Sequence, residues 1–314
     1  MPYYTLTNSE DLVVVVTGCD SGFGAEILND LYQRCGSTIY ATCLTFQAVE
    51  KYQAKEGRFD LTAKDAFERM MDVNYKSIIR ATKALLPFLR AYTKSRHILP
   101  DGQKQTCARL ISVTSVADRT NAPGLGPYSA FKHAAESILD TLRVKLSPWE
   151  IDVSMIEPFF AKTPIMTNSF TAFEQNWKRV DDHVHAMYGP AFVESAHKRN
   201  QFLYEKAMPP QWVVQAAVNA IRKNNGTQTS RTLVGFWYVR FLVWFLERAH
   251  EWVVDGMLRS VQPRKESNSS KPMLTLRPDL ILIIAMSLAA AVCLATALMK
   301  NANTSTGPDK GFGK

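Results

Sequence analysis

Tyr128 and Lys132 stand four residues apart in Tyr128-Ser-Ala-Phe-Lys132. On a helix that spacing puts both side chains on one face, a turn apart. A lysine ammonium beside a phenol favours the phenolate and draws its pKa down from about 10 toward working pH. A tyrosine tuned in this way can take or give a proton in a transition state. The spacing alone arises by chance in many proteins, so its neighbours matter. Ser115 lies thirteen residues upstream of Tyr128, at the end of an apolar run, and Thr-Gly-Cys-Asp-Ser-Gly-Phe-Gly occupies 17–24. There Gly18-x-x-x-Gly22-x-Gly24 follows an apolar run and opens an amphipathic stretch. Glycines in that context let a backbone approach a pyrophosphate at a helix N-terminus. The spacing is not G-x-G-x-x-G, and by itself an ordinary glycine-rich turn explains it equally.

The elements that must hold these residues follow from hydrophobic period. Leu12–Val16 is an unbroken, mostly β-branched run, which predicts a strand buried on both faces. A helix is expected from about Ala25 to Cys35, with Ile27, Leu28, Leu31 and Tyr32 as its apolar stripe and Gly36 at its end. Thr38–Leu44 reads as the second strand. Residues 64–90 read as helical, 91–107 as a polar loop, and Leu110–Val113 as a strand ending at Thr114-Ser115. Tyr128–Leu146 is a helix. Ile151–Ile156 is a strand closed by Glu157-Pro158. Residues 164–210 are irregular to helical, Val213–Arg222 is a helix, and Thr232–Val234 is a last strand. Residues 236–260 are amphipathic, with Trp237, Trp244 and Trp252. They suit either a membrane interface or a helix covering a sheet or dimer surface.

With 314 residues, 46% of them hydrophobic, the chain can bury one large α/β core or two smaller ones. Its net charge of +8 is concentrated late, at Arg259, Arg264, Lys265, Lys271 and Arg277. No basic stripe interleaved with aromatics accompanies it, which argues against nucleic acid as a partner. Five scattered cysteines without zinc spacing fit reduced thiols. Asp181-Asp-His183-Val-His185 puts its histidines two apart, on different helix faces, so no metal site is expected. Leu280–Met299 carries no charge over twenty residues, enough to cross about 30 Å of hydrocarbon as a helix. The basic residues before it place the larger N-terminal part in the cytosol. The expected divisions are 1–262 as the folded domain, 263–279 as a linker, 280–299 as a single membrane span, and 300–314 as a tail.

The set TGCDSGFG, Ser115 and Tyr128-x-x-x-Lys132 resembles the short-chain dehydrogenase/reductase superfamily. Asp72-Val-Asn-Tyr75 resembles its D-V-N helix. Leu142–Thr163 resembles a stretch of its retinol and 17β-hydroxysteroid dehydrogenase branch, and Phe236–Lys265 resembles that branch's membrane-associating segment. The resemblance covers about residues 12–265. It implies a Rossmann-like, doubly wound, mostly parallel α/β sheet. It implies Tyr128 as general acid/base, Lys132 as the group that lowers its pKa and holds the nicotinamide ribose, and Ser115 as the donor to the substrate oxygen. Asn74 would order a water linking Lys132 to solvent. Gly18, Asp20, Ser21, Gly22, Phe23 and Gly24 would line the pyrophosphate, and Thr163 would contact the carboxamide. The second strand ends in Cys43-Leu44-Thr45, which points to NAD, with NADP as the alternative. The implied activity is hydride transfer between NAD(P) and the carbinol of a lipophilic alcohol such as a retinoid or steroid. An apolar lid of Met166, Phe170, Phe173, Trp177, Met187, Tyr188 and Phe192 would cover that substrate, though plain packing would use the same residues. By the same resemblance the membrane is that of the endoplasmic reticulum, and a homodimer is open.

The chain departs from the family pattern between its second strand and the Asn74 helix. Only Thr45–Leu61 lies there, too short for two strands and their helices. The family's third-strand Asp and its N-N-A-G strand end have no counterpart. The sheet is expected either to keep a gap or to pair its first strand directly with the Leu110 strand. Pro158-Phe159 stands where the family has Pro-Gly, a position where the backbone approaches the nicotinamide. These departures support a second reading, a catalytically impaired relative acting as a membrane-bound interaction protein.

Overall fold

A computed structural model describes residues 13–19, 21–34, 38–42, 64–95, 107–121, 125–222 and 230–260. The predicted span at 280–299, Asp20 and the Cys43–Leu61 connection lie outside them. Among the described residues no helix is long and apolar enough to cross a membrane. The chain divides into two units. One runs to Phe236, and Trp237–Gln262 belongs to the other.

In the first unit β1 (Val13–Thr17) leads through the glycine turn into α1 (Gly22–Arg34) and then β2 (Thr38–Thr42). α2 (Lys64–Met71), a π-helical turn (Asp72–Lys76) and α3 (Ser77–Ser95) form one continuous helical stretch. The helix therefore runs five residues beyond the predicted end at 90, across residues read as loop. β3 (Ala108–Val113) follows, then a short 3₁₀ turn (Val116–Asp118), α4 (Gly126–Leu146) and β4 (Ile151–Pro158). The stretch read as irregular to helical resolves into α5 (Pro164–Trp177), α6 (Asp182–Tyr188) and α7 (Pro190–Glu205). α8 (Gln211–Arg222) and β5 (Arg231–Val234) complete the unit.

All strand pairs are parallel, but they form two sheets. β1 pairs with β2, Val13 opposite Thr38. β3 pairs with β4, Ala108 opposite Ile151, and β4 pairs with β5, Met155 opposite Arg231. Among the described residues no ladder joins β1 to β3. Among the described residues, then, the first strand does not pair directly with the Leu110 strand.

Side chains connect the two sheets instead. Ile27 and Leu31 of α1 share a core cluster with Ile156 of β4 and Val213, Val214 and Val218 of α8. Val14 and Val16 of β1 pack against it from one sheet, and Ile111 and Val113 of β3 from the other. The opposite face of β3 and β4 is covered by α3 and α4, with Leu139, Leu146, Val153 and Met155 buried there. The expectation that β1 is buried on both faces is overturned. Val13 is 60% exposed and Val15 is 39% exposed. Only the face toward α1 is covered, so the alternate residues of the run meet solvent. β4 has the fully buried character instead, because it has a strand on each side and helices on both faces.

In the second unit α9 (Trp237–Leu246) and α10 (Glu251–Ser260) divide the amphipathic stretch. Val239 and Val243 are buried, whereas Trp237, Trp244 and Trp252 are exposed.

Candidate active site

The glycine turn is shaped by its residue types. Gly18 and Gly22 have φ of +72° and +60°, in the left-handed region where a Cβ is disfavoured. Among the described residues nothing lies within 4 Å of where their side chains would start, so the backbone there is open to a ligand. Gly24 serves a different purpose. A Cβ on it would collide with the Gly18 carbonyl oxygen and lie 2.8 Å from the carbonyl carbon. Gly24 thus closes the turn onto the first helical residues, with Ser21 and Phe23 half-buried beside it.

Thr114, Ser115 and the 3₁₀ turn are fixed from β4. The Thr114 N–H donates to the Ile156 carbonyl at 2.8 Å, continuing the β3–β4 ladder by one residue. Ser115 caps the 3₁₀ turn, its Oγ accepting from the Ala117 N–H at 3.2 Å. The hydroxyl keeps its own proton to donate elsewhere. Asp118 completes a capping box by accepting from the Ser115 N–H at 3.5 Å.

α4 packs on that turn and on the π-helical turn of Asn74. Tyr128 and Lys132 are both buried on it, and the Lys132 Nζ lies 5.5 Å from the Tyr128 ring centroid. The i, i+4 spacing therefore brings the two side chains together, with the ammonium over the ring of its phenol. Phe131 sits between them in sequence and packs edge-on against Phe67 of α2 at 6.5 Å. That contact ties α4 to the helix leading into Asn74. Asn74 is half-buried in the π-helical turn, and its Nδ2 donates to the Met70 carbonyl at 3.0 Å. π-turns are frequent at functional sites. In this arrangement, however, the amide is engaged with its own helix.

Thr163 is buried at the N-terminus of α5, its hydroxyl donating to the Ala161 carbonyl at 3.4 Å. Phe159, in the altered Pro-Phe, donates its N–H to Val234 at 2.9 Å. Glu150 is the one non-glycine residue with positive φ among the described residues, so Phe159 sits in an ordinary backbone conformation. The lid residues are largely spent on each other. Phe173 and Phe192 are buried with Val184 and Ala196, and Trp177 and Tyr188 pack against them. Met166 is buried and Met187 is exposed. His185 stacks on Trp177 at 4.5 Å, and its Nε2 lies 2.8 Å from the Trp177 carbonyl, while His183 is exposed. Between α5 and α7 an open cavity of about 400 Å³ is lined by Thr167, Phe170, Glu174, His197, Asn200 and Tyr204.

Two features escaped the sequence reading. The first is Asp118, whose signal was available in the S-x-x-D spacing from Ser115. The second is an ion-pair network with no local signal. Glu157 is fully buried and pairs with Arg119 Nε at 2.7 Å and with Arg231 Nη1 at 3.4 Å. Arg231 also pairs with Glu136 and Asp140 of α4. The network links the end of β4 to β5, to α4 and to the turn after Ser115.

Known proteins resemble this chain in sequence and in fold. A short chain dehydrogenase family model matches residues 52–174. Retinol dehydrogenase 5 of Mus musculus is 27% identical over 235 residues, covering 60% of this chain and 69% of its own. Retinol dehydrogenase 16 of Homo sapiens is 26% identical over 249 residues, covering 64% of this chain and 74% of its own. A short chain dehydrogenase/reductase from Burkholderia phymatum, solved in complex with NAD, superposes with a TM-score of 0.57. It is 14% identical and covers 86% of this chain and all of its own, so the fold is shared. Over residues 52–174, and in its fold, the chain is thus similar to the short-chain dehydrogenases.

Proposed function

We propose that this protein is an NAD(P)-dependent oxidoreductase that interconverts the carbinol and carbonyl of a lipophilic alcohol, retinoid- or steroid-like, at a membrane. The observation that carries the reading is the buried Tyr128–Lys132 pair on α4, packed against the turns bearing Ser115 and Asn74. The relatives named above as retinol dehydrogenases support the substrate class. The Burkholderia phymatum protein holding NAD supports the cofactor class, with NAD favoured over NADP by the Cys43-Leu44-Thr45 sequence that follows β2.

The residues present fit such a cofactor at the glycine turn. Gly18 and Gly22 leave their Cβ positions open, and α1 presents its N-terminus there. Gly18, Ser21, Gly22, Phe23 and Gly24, with Asp20, would hold the pyrophosphate. Lys132 and Tyr128 would hold the ribose, and Thr163 the carboxamide. When bound, the nicotinamide supplies the hydride chemistry. This chain's own residues handle the proton. In the oxidative direction Tyr128 takes it from the carbinol as that bond polarises, and Lys132 favours the charged phenol that makes this possible. Ser115 donates to the same oxygen and stabilises its developing charge. Asn74 would hold the water that connects Lys132 to solvent once its amide leaves the Met70 carbonyl.

Residues 1–262 would form the catalytic part and 280–299 a single-pass anchor in the endoplasmic reticulum membrane. The catalytic part would face the cytosol, with the exposed tryptophans of α9 and α10 meeting lipid. A second reading is favoured by one observation, the absence of a shared strand between β1 and β3 among the described residues. On that reading the chain is a catalytically impaired membrane-bound interaction protein, acting as a monomer or homodimer. Titration of the detergent-solubilised protein with NADH and NADPH, followed by nicotinamide fluorescence, separates the two. Saturable binding is expected, and none at millimolar cofactor would leave only the second reading.

A further inference from the structure

We propose that Asp118 is a charge-setting residue of this site, its buried carboxyl sharing the Lys132 ammonium with the Tyr128 phenol. The proposal rests on the reading of Tyr128 as the proton-exchanging group. Asp118 is 1% exposed, and its place in the fold is fixed by the capping box with Ser115. Its Oδ2 accepts from the Ser115 N–H, while its Oδ1 makes no hydrogen bond of ordinary geometry among the described residues. The carboxyl is therefore only partly satisfied in a dry place, where charge is costly. The turn that carries it packs directly on α4.

Few charges can answer it. From α4, Lys132 acts on it favourably, and from its own turn so does Arg119. Glu157, on the adjoining β4, is engaged with Arg119 and Arg231, and Glu136 and Asp140 of α4 are engaged with Arg231. Lys132 thus has two oxygens competing for its ammonium, the Tyr128 phenol and the Asp118 carboxyl. Burial pushes the Asp118 pKa up, against the pull of the Thr114 hydroxyl, the Ser115 N–H, Lys132 and Arg119. While Asp118 is protonated, the ammonium acts on Tyr128 alone. Once Asp118 ionises, its charge offsets the ammonium and holds the phenol proton more tightly. The two groups then titrate as a coupled pair.

The test uses the full chain in detergent and needs no turnover. The ultraviolet absorbance of phenolate that disappears in Tyr128→Phe reports ionisation of Tyr128 by difference. Asp118→Asn keeps an oxygen to accept from the Ser115 N–H and removes only the charge. It is expected to lower the Tyr128 midpoint by about half to one pH unit, as loss of a nearby like charge should. Asp118→Glu, which restores the charge, is expected to return the midpoint toward the wild-type value. An unmoved or raised midpoint in the folded Asn variant would overturn the proposal. If the midpoint moves and neither protein oxidises any alcohol, Asp118 keeps its role and the oxidoreductase reading is what fails.

Discussion

Gly24 shows how much a single atom decides at the residue scale. Its Cβ position is occupied by the Gly18 carbonyl, and backbone cannot step aside as the end of a flexible side chain can. Gly24→Ala is expected to open the turn, abolish cofactor binding and lower stability by about 1–3 kcal/mol. Isothermal titration with NADH and a urea unfolding curve measure both, and unchanged values for both would refute the close approach. Asp118 gives a second prediction, with its sign fixed by burial. Its folded pKa lies above the unfolded value, so it contributes stability below about pH 4 that is lost as pH rises through the folded pKa. Asp118→Asn carries no such loss. The melting temperature of the variant relative to wild type should therefore climb from about pH 4 upward and then level off. A difference independent of pH would show that the carboxyl is not held in a costly place.

The candidate site is assembled by packing between elements at the C-terminal ends of β1, β3 and β4 in the first unit. α4 is the common wall, since the turn after β3 and the π-helical turn before α3 both pack on it. The Glu157 network clamps this arrangement, joining β4, β5, α4 and Arg119 through charges that are mostly out of water. Removing one partner from such a network leaves the other charge uncompensated. Glu157→Gln is expected to cost on the order of 3 kcal/mol. The midpoint of urea denaturation should fall accordingly, and a loss below about 1 kcal/mol would mean that water, not Glu157, balances Arg119. The lid shows the opposite relation between residues and element. Its aromatic content predicts a greasy cover, but three short helices must bury something to stay folded. Phe173, Trp177, Tyr188 and Phe192 meet that need among themselves.

At the scale of the whole molecule, the divided sheet is the feature with the largest consequence. β4 is held by a ladder on both edges, whereas β1 is paired through β2 alone among the described residues. Backbone opening is easier where one edge is free and alternate side chains meet solvent. The amides of Val14–Val16 are therefore expected to exchange with deuterium at least about tenfold faster than those of Val153–Met155. Equal protection would mean that another strand occupies the free edge of β1. The same division bears on function. On the proposed reading, the pyrophosphate and proton sites fall on turns that are formed, while the sequence between the second strand and the Asn74 helix is too short for the strand that would stand between them.

Much of this was legible in the sequence because the signals are local. The β-branched run, the three glycines and the Y-x-x-x-K spacing specify a strand, a left-handed turn and a helix face using neighbours a few residues away. The length of the 45–61 connection likewise ruled out an ordinary sheet. Tertiary structure decided the rest, since it depends on what lies opposite. Val13 and Val15 are exposed because, among the described residues, no helix layer covers that face of β1, although their residue types suit a core. Arg119 and Arg231 converge on Glu157 across 38 and 74 residues of chain, a distance no spacing rule spans. Asp118 belongs with Lys132 for the same reason. Sequence supplied the groups able to carry proton chemistry, and burial determined which charges compete for them.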